Sequence, residues 1–231
     1  MHLVRRVKLI AKWIVVAFFA STILSVVALR FIPVFFSPLM FIRYYQQMEE
    51  GRELKLSHHW IPLECMPSAM PVAVIASEDA HFLSHHGFDF DAIQSAAEHN
   101  RKHPEKTKRG ASTISQQTAK NVFLWPGRSW LRKGLEVYFT SLIELFWSKQ
   151  RIMEVYLNTI EMGDGIYGIE AVAREHFGVP SRVLSREQCA LIAVTLPNPR
   201  RYSSLHPSTY IRKRQKTILN EMNNVEAFPQ E

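Results

Sequence analysis

The chain has 231 residues, 47% of them hydrophobic, and a formal net charge of +7. That length holds about one domain plus a short extra segment, and that apolar fraction excludes a disordered chain. Two cysteines, Cys65 and Cys189, are too few for a disulfide scaffold and receive no role, while the positive balance suits work at a lipid headgroup layer or on a phosphate-bearing substrate.

The apolar residues are concentrated at the N-terminus. Trp13 to Leu29 carries neither charge nor proline, and a helix of that length spans roughly 25 Å. With the apolar residues up to Phe36 it predicts one transmembrane anchor over 13–36, with Lys12 and Arg30 reaching opposite interfaces. A cleaved signal peptide is the alternative. The stretch exceeds the usual apolar core of such a peptide, and no small-x-small cleavage site precedes Arg30. Arg5, Arg6, Lys8 and Lys12 place residues 1–12 in the cytoplasm by the positive-inside rule. The remainder would then lie outside, in the periplasm if the membrane is a Gram-negative inner membrane. Nucleic acid is a poor partner for a domain on that side.

Val34 to Met48 reads as an amphipathic connector that leads from the anchor into a membrane-proximal segment 37–58, which precedes a domain over 59–231. Helical periodicity then recurs over Pro67–Phe82, Asp89–His99, Ser112–Asn121, Ser129–Trp147, Lys149–Asn158, Gly168–Phe177, Ser185–Thr195 and Ser208–Met222. Ser112 or Thr113 and Ser129 are N-cap candidates. Arg101 to Arg109 is a basic loop interrupted by Pro104. β-branched alternation is scarce, so the fold is mainly α and any sheet is small.

The densest chemistry lies in SEDAHFLSHHGFD, residues 77–89. Glu78 and Asp79 end an apolar run, Val72 to Ala76, where burial and a like charge both disfavour ionisation. That makes either carboxylate a candidate general base. Glu78, His81 and His85 also stand at i, i+3 and i+7, a spacing that can build a metal site on one helical face. The helix end expected near His85 and the turn at Gly87 count against it. GASTISQQTAKN, residues 110–121, crowds Ser112, Thr113, Ser115, Gln116, Gln117, Lys120 and Asn121 into a few turns. Ser112, Ser115 and Gln116 share one face and Gln117, Lys120 and Asn121 an adjoining one, a pattern fit for sugar or phosphate binding or for a plain solvated helix. In RSWLRKGLE, Arg128, Arg132 and Glu136 stand four apart with Lys133 beside them, either ordinary surface pairs or a cationic face for an anionic leaving group. Gly163, Gly165 and Gly168 allow tight turns or close backbone approach.

Together with KQRIMEVYLN and GIYGIEAVAREHFG, these blocks in this order resemble the five motifs of bacterial peptidoglycan glycosyltransferases, and most closely the monofunctional biosynthetic transglycosylases. The resemblance runs from about His59 to about Tyr202 and takes in LPNPRRYS, residues 196–203. His176 stands where the family has an aromatic residue. The resemblance implies a lysozyme-like helical lobe with a small jaw dipping into the membrane; Val122 to Trp125, Trp130 and Leu131 suit such a jaw. No Ser-x-x-Lys occurs, so no transpeptidase domain is expected. The implied substrates are lipid II and the growing glycan strand, polymerised with release of undecaprenyl pyrophosphate. Membrane lipids and cell-wall synthesis or division proteins are the implied partners.

In the implied roles Glu78 is the base. Lys120, Arg128, Arg132 and Lys133 stabilise the pyrophosphate, and Glu136 is a second catalytic carboxylate that positions the cations or a metal. Ser112, Thr113, Gln116, Gln117 and Asn121 orient sugar and phosphate oxygens, while Asp79 fixes the loop. A divalent metal, Mg²⁺ or Mn²⁺, would arrive with the pyrophosphate, and no organic cofactor is implied. A wall-cleaving lysozyme-like enzyme would also use a glutamate but needs no cationic face. A non-enzymatic membrane scaffold would leave the ordered polar blocks unexplained.

Overall fold

A computed structural model describes residues 2–106, 108–127 and 129–229. Its contacts divide into two units, residues 1–33 and 34–231. The first holds α1, His2–Leu29, of which Val4–Leu29 is long and apolar enough to cross a membrane. The helix thus begins well before the expected residue 13, because Arg and Lys are good helix formers. It also stops short of residue 36, with Pro33 close behind and disfavouring helical backbone at Ile32.

The second unit is mainly helical, as expected. Its elements are α2 (Pro38–Glu49), β1 (Ser57–His58), α3 (Ala69–Glu78), α4 (Phe90–Lys102), α5 (Ile114–Phe123), α6 (Trp130–Phe146), α7 (Lys149–Thr159), β2 (Glu161–Gly163), β3 (Ile166–Tyr167), α8 (Ile169–Phe177), α9 (Arg186–Thr195) and α10 (Thr209–Glu221). Local capping sets most of the starts. Asp89, Thr113, Ser129, Ser148, Ser185 and Ser208 each accept a backbone N–H of the first turn through the side chain. At α5 and α9 a glutamine three residues later returns the bond, closing a capping box.

The helix α5 is central, packing on α6, α7 and α2, while α3 packs on α9 and α10. The α7 residues Ile152, Met153, Tyr156 and Leu157 are fully buried, as are Met70, Val74 and Ile75 of α3. Val155 and Thr159 of α7 are fully buried too, so this helix belongs to the core. The small sheet has the order β1-β3-β2, with β1 parallel and β2 antiparallel to β3. It lies outside the reach of periodicity, since strands of two or three residues carry none.

Two contacts tie sheet and helices together. Asn158, at the end of α7, accepts the Ile61 N–H at 3.0 Å and donates to the Ile61 carbonyl at 2.9 Å, clasping the segment before α3. Gly168 then turns the chain from β3 into α8 at φ +80° and ψ 164°, a conformation essentially confined to glycine. A Cβ there would lie 2.6 Å from the Asn158 carbonyl oxygen, a backbone atom that cannot move aside cheaply. Gly168→Ala should therefore lower the unfolding free energy by about 2–3 kcal/mol. Denaturant unfolding of the variant within about 0.5 kcal/mol of wild type, the range usual for a neutral surface change, would contradict this reading of the turn.

Candidate active site

Helix α3 ends at Glu78, and the adjacent residue Asp79 leaves the helical conformation as its C-cap. The two carboxylates therefore diverge. The Asp79 side chain turns inward and is almost fully buried. One of its oxygens accepts the Ile114 N–H at 2.9 Å, in the first turn of α5, where the helix dipole favours an anion. Both oxygens accept from His85 Nε2, at 2.9 and 3.0 Å. The Gly87 N–H donates to His85 Nδ1 at 3.1 Å, so the ring proton sits on Nε2. The Gly87 carbonyl in turn accepts from Thr113 Oγ1, at the cap of α5. The turn after α3 is thus bolted to the start of α5.

Glu78 points the other way. Its Oε2 accepts from Gln117 Nε2 at 2.9 Å. Burial raises its pKa above the ordinary carboxylate value, and the neighbouring Asp79 charge adds to the rise. Hydrogen bonds from Gln117 and Ser77 and the charge of Lys120 pull it back. Lys120 is held below the usual lysine value mainly by burial. The carboxylates of Glu136 and Glu78 oppose that fall, while Arg132 and Lys133 deepen it.

Two open cavities of about 550 and 650 Å³ flank this point. Glu78 lines the larger; Gln117, Lys120, Asn121 and Arg132 line the smaller; Ser112 lines both. The base candidate and the cations therefore line adjoining cavities, joined through Gln117. The helix face on the smaller cavity is Gln117, Lys120 and Asn121, the adjoining set of the two read from the spacing.

Other site residues fall elsewhere. Gln116 is buried with its carboxamide oxygen accepting the Thr113 N–H, so its side chain closes the cap and does not line either cavity. Ser115 donates to Glu144, on the side facing α6. Thr113 lines the larger cavity, but its hydroxyl is engaged by Gly87 and by the cap. Glu136 lies buried beneath Arg132 and Lys133, which pair with its two oxygens, the Arg132 contact being 2.7 Å. It acts on the smaller cavity through Arg132 and through its field on Lys120. Arg128 lies outside the described residues.

The alternative metal face is dismantled by the turn. His81 pairs with Asp89 at 2.8 Å, His85 with Asp79, and Glu78 with Gln117. Among the described residues no three His, Cys, Asp or Glu side chains converge on a metal-sized site. The oxygens of Glu136 are both committed to cations, which does not fit the metal-holding role considered for it. His176, the departure from the family pattern, bonds Ser204 Oγ at 2.7 Å, away from both cavities. Both cysteines are free, and burial pushes the Cys189 thiol up to about 12.

A family model described as Transglycosylase matches residues 46–223, a span that contains Glu78, Gln117, Lys120, Arg132 and Glu136. The chain belongs to the transglycosylase family. It is 56% identical over 226 residues to a biosynthetic peptidoglycan transglycosylase of Bacteroides thetaiotaomicron, covering 98% of this chain and 90% of that one. The protein of that description from Bdellovibrio bacteriovorus is 50% identical, with 91% and 85% covered. The one from Pseudomonas fluorescens SBW25 is 45% identical, with 94% and 88% covered.

Spacing alone missed Arg43 on α2 and Glu161 on β2, which also line the smaller cavity. The Asp79 junction yields a direct expectation. Asp79→Ala removes an acceptor from the Ile114 N–H and from His85, and should cost about 2–3 kcal/mol of unfolding free energy. A denaturation midpoint unchanged from wild type would show that the junction does not hold α3 to α5.

Proposed function

We propose that this family member is a peptidoglycan glycosyltransferase that polymerises lipid II. The observation that carries the reading is a desolvated carboxylate, Glu78, linked through Gln117 to a cavity lined by Lys120 and Arg132. That arrangement separates a base from an anion-binding wall, as displacement of a pyrophosphate requires. The names of the relatives supply the substrate class.

In this mechanism the 4-hydroxyl of the acceptor GlcNAc lies in the larger cavity, against Glu78. The O4–C1 bond to the donor MurNAc forms as the C1–phosphate oxygen bond breaks. The hydroxyl proton passes to Glu78, the bond pair leaves with the undecaprenyl pyrophosphate, and the anomeric centre inverts. A base must be ionised yet basic: burial makes Glu78 more basic, while Gln117, Ser77 and Lys120 favour its ionised form. Pyrophosphate needs charge stabilisation more than protonation, and in a partly desolvated wall cations are worth more than in water. Lys120 and Arg132 supply it, with Arg132 held in place by Glu136. Any Mg²⁺ or Mn²⁺ would enter on the substrate's pyrophosphate, because both oxygens of Glu136 are already paired with cations. The chemistry uses no transpeptidase group.

The setting fits a lipid-linked substrate. α1 is a candidate single-pass anchor, and the basic residues Arg5, Arg6, Lys8 and Lys12 before its apolar span support a catalytic unit on the periplasmic face of a bacterial inner membrane. After α5, Trp125, Trp130 and Leu131 are exposed, Trp130 almost completely, and are of the kind that enters a lipid interface.

Glu78→Gln should leave the circular dichroism spectrum unchanged and abolish polymerisation of labelled lipid II by the purified chain. Polymer yield near that of wild type would sink the assignment of the base. A second outcome follows from Gln117, whose hydrogen bond favours the charged carboxylate. Its loss in Gln117→Ala raises the Glu78 pKa further, so the acid limb of kcat/KM should move to higher pH. An acid limb that stays in place while activity falls would mean that Gln117 acts on the substrate alone.

A further inference from the structure

The smaller cavity has a second charged wall that the mechanism above does not use. Arg43 from α2, Glu161 from β2 and Arg200 from the loop after α9 all line it, together with Lys120 and Arg132. Glu161 is only 6% exposed, yet its Oε1 has no hydrogen-bond partner. Arg43 Nε approaches Glu161 Oε2 at 3.4 Å, an ion pair too poorly formed to count as a hydrogen bond, and is itself a buried donor without a partner. Beneath them Tyr167, paired with Glu161 in the sheet, has a buried hydroxyl that is also unpartnered. Arg200 reaches its acidic neighbour Asp164 only at 3.8 Å.

Buried polar atoms are nearly always satisfied, so three orphans around one wall call for an explanation. The wall presents an unpaired donor, Arg43 Nε–H, beside an unpaired acceptor, Glu161 Oε1. A phosphate or carboxylate would meet repulsion from Glu161, and a cation would meet Arg43 and Arg200. What fits is a neutral group that accepts and donates at adjacent atoms, which is the chemistry of a secondary amide. A charged pair set against an amide rejects an analogue lacking it, because the Arg43 Nε–H and Glu161 Oε1 then stay without hydrogen-bond partners. Burial as the first cause and the Asp164 charge as a lesser one hold the Glu161 carboxyl above its ordinary value, while Arg43 and Arg200 oppose that rise, which leaves it a strong acceptor.

Resting on the lipid II reading above, we propose that Arg43 and Glu161 are specificity-determining residues that bind a 2-acetamido group of the donor glycan. The acetamido carbonyl accepts from Arg43, and its N–H donates to Glu161. One cavity then reads both ends of the donor: its pyrophosphate at Lys120 and Arg132, its sugar at the wall formed by α2 and β2. The growing strand runs from the first toward the second.

The test uses the full chain in detergent with labelled lipid II and with an analogue whose 2-acetamido groups are replaced by hydroxyls. Wild type should prefer lipid II by about tenfold or more in kcat/KM, the equivalent of one good hydrogen bond, mostly through KM. In Glu161→Met and Arg43→Met the preference should fall to within about twofold. The ratio of two substrates on one protein does not depend on how much of a variant folds. Equal use of both substrates by wild type, or a preference retained in both variants, would overturn the proposal while leaving the functional reading intact. If wild type makes no polymer from lipid II, that reading falls and this one with it.

Discussion

The site depends on how the chain spends two adjacent carboxylates. Asp79 is turned inward and saturated by the Ile114 N–H and His85, and this bolts the end of α3 to the beginning of α5. Because Asp79 is the C-cap of α3, its inward turn leaves Glu78 on the last helical position, directed at Gln117. A helix continuing through His81 would have laid Glu78, His81 and His85 on one face. The cap instead sends His81 to Asp89 and His85 to Asp79, each securing the turn. One carboxylate is tied down by hydrogen bonds while its neighbour faces the cavity.

Helix α5 carries the consequences across to the second cavity. Its first turn is stitched by Thr113, Gln116 and Gly87, and its flank toward α6 by Ser115 and Glu144, which also pairs with Lys149 at 2.8 Å. That leaves Gln117, Lys120 and Asn121 for the cavity wall. Lys120 feels both Glu78 and the Arg132, Lys133 and Glu136 group, and both carboxylates counter the burial that lowers its pKa. Glu78 and the cations of the second cavity are therefore coupled electrostatically through Lys120.

Much of this was legible in the sequence because it is local. Caps at Asp89, Ser129, Ser185 and Ser208 follow from side chains that bond backbone two or three residues away, and the starts of α4, α6, α9 and α10 were placed to within a residue. The roles of Gln116 and Gln117 could not be separated, since adjacent amides differ only in which way the helix is rotated against α6 and α7. The burial of Glu136 beneath its own partners is likewise a packing outcome. Spacing put Glu136 and Arg132 on one face but gave no sign that the face turns inward. Arg43 and Glu161 meet only because α2 packs against α5 and the small sheet closes beside it, contacts that no periodicity encodes.

The central claim is that Glu78 is a desolvated carboxylate whose affinity for a proton is set jointly by burial and by Lys120. The most direct measurement is its titration in the intact chain, taken as the difference between the carboxyl infrared bands of wild type and Glu78→Gln. The account predicts a midpoint above the ordinary glutamate value, rising further in Lys120→Met, where the opposing positive charge is gone. A midpoint at or below the ordinary value, or one indifferent to Lys120, would contradict it.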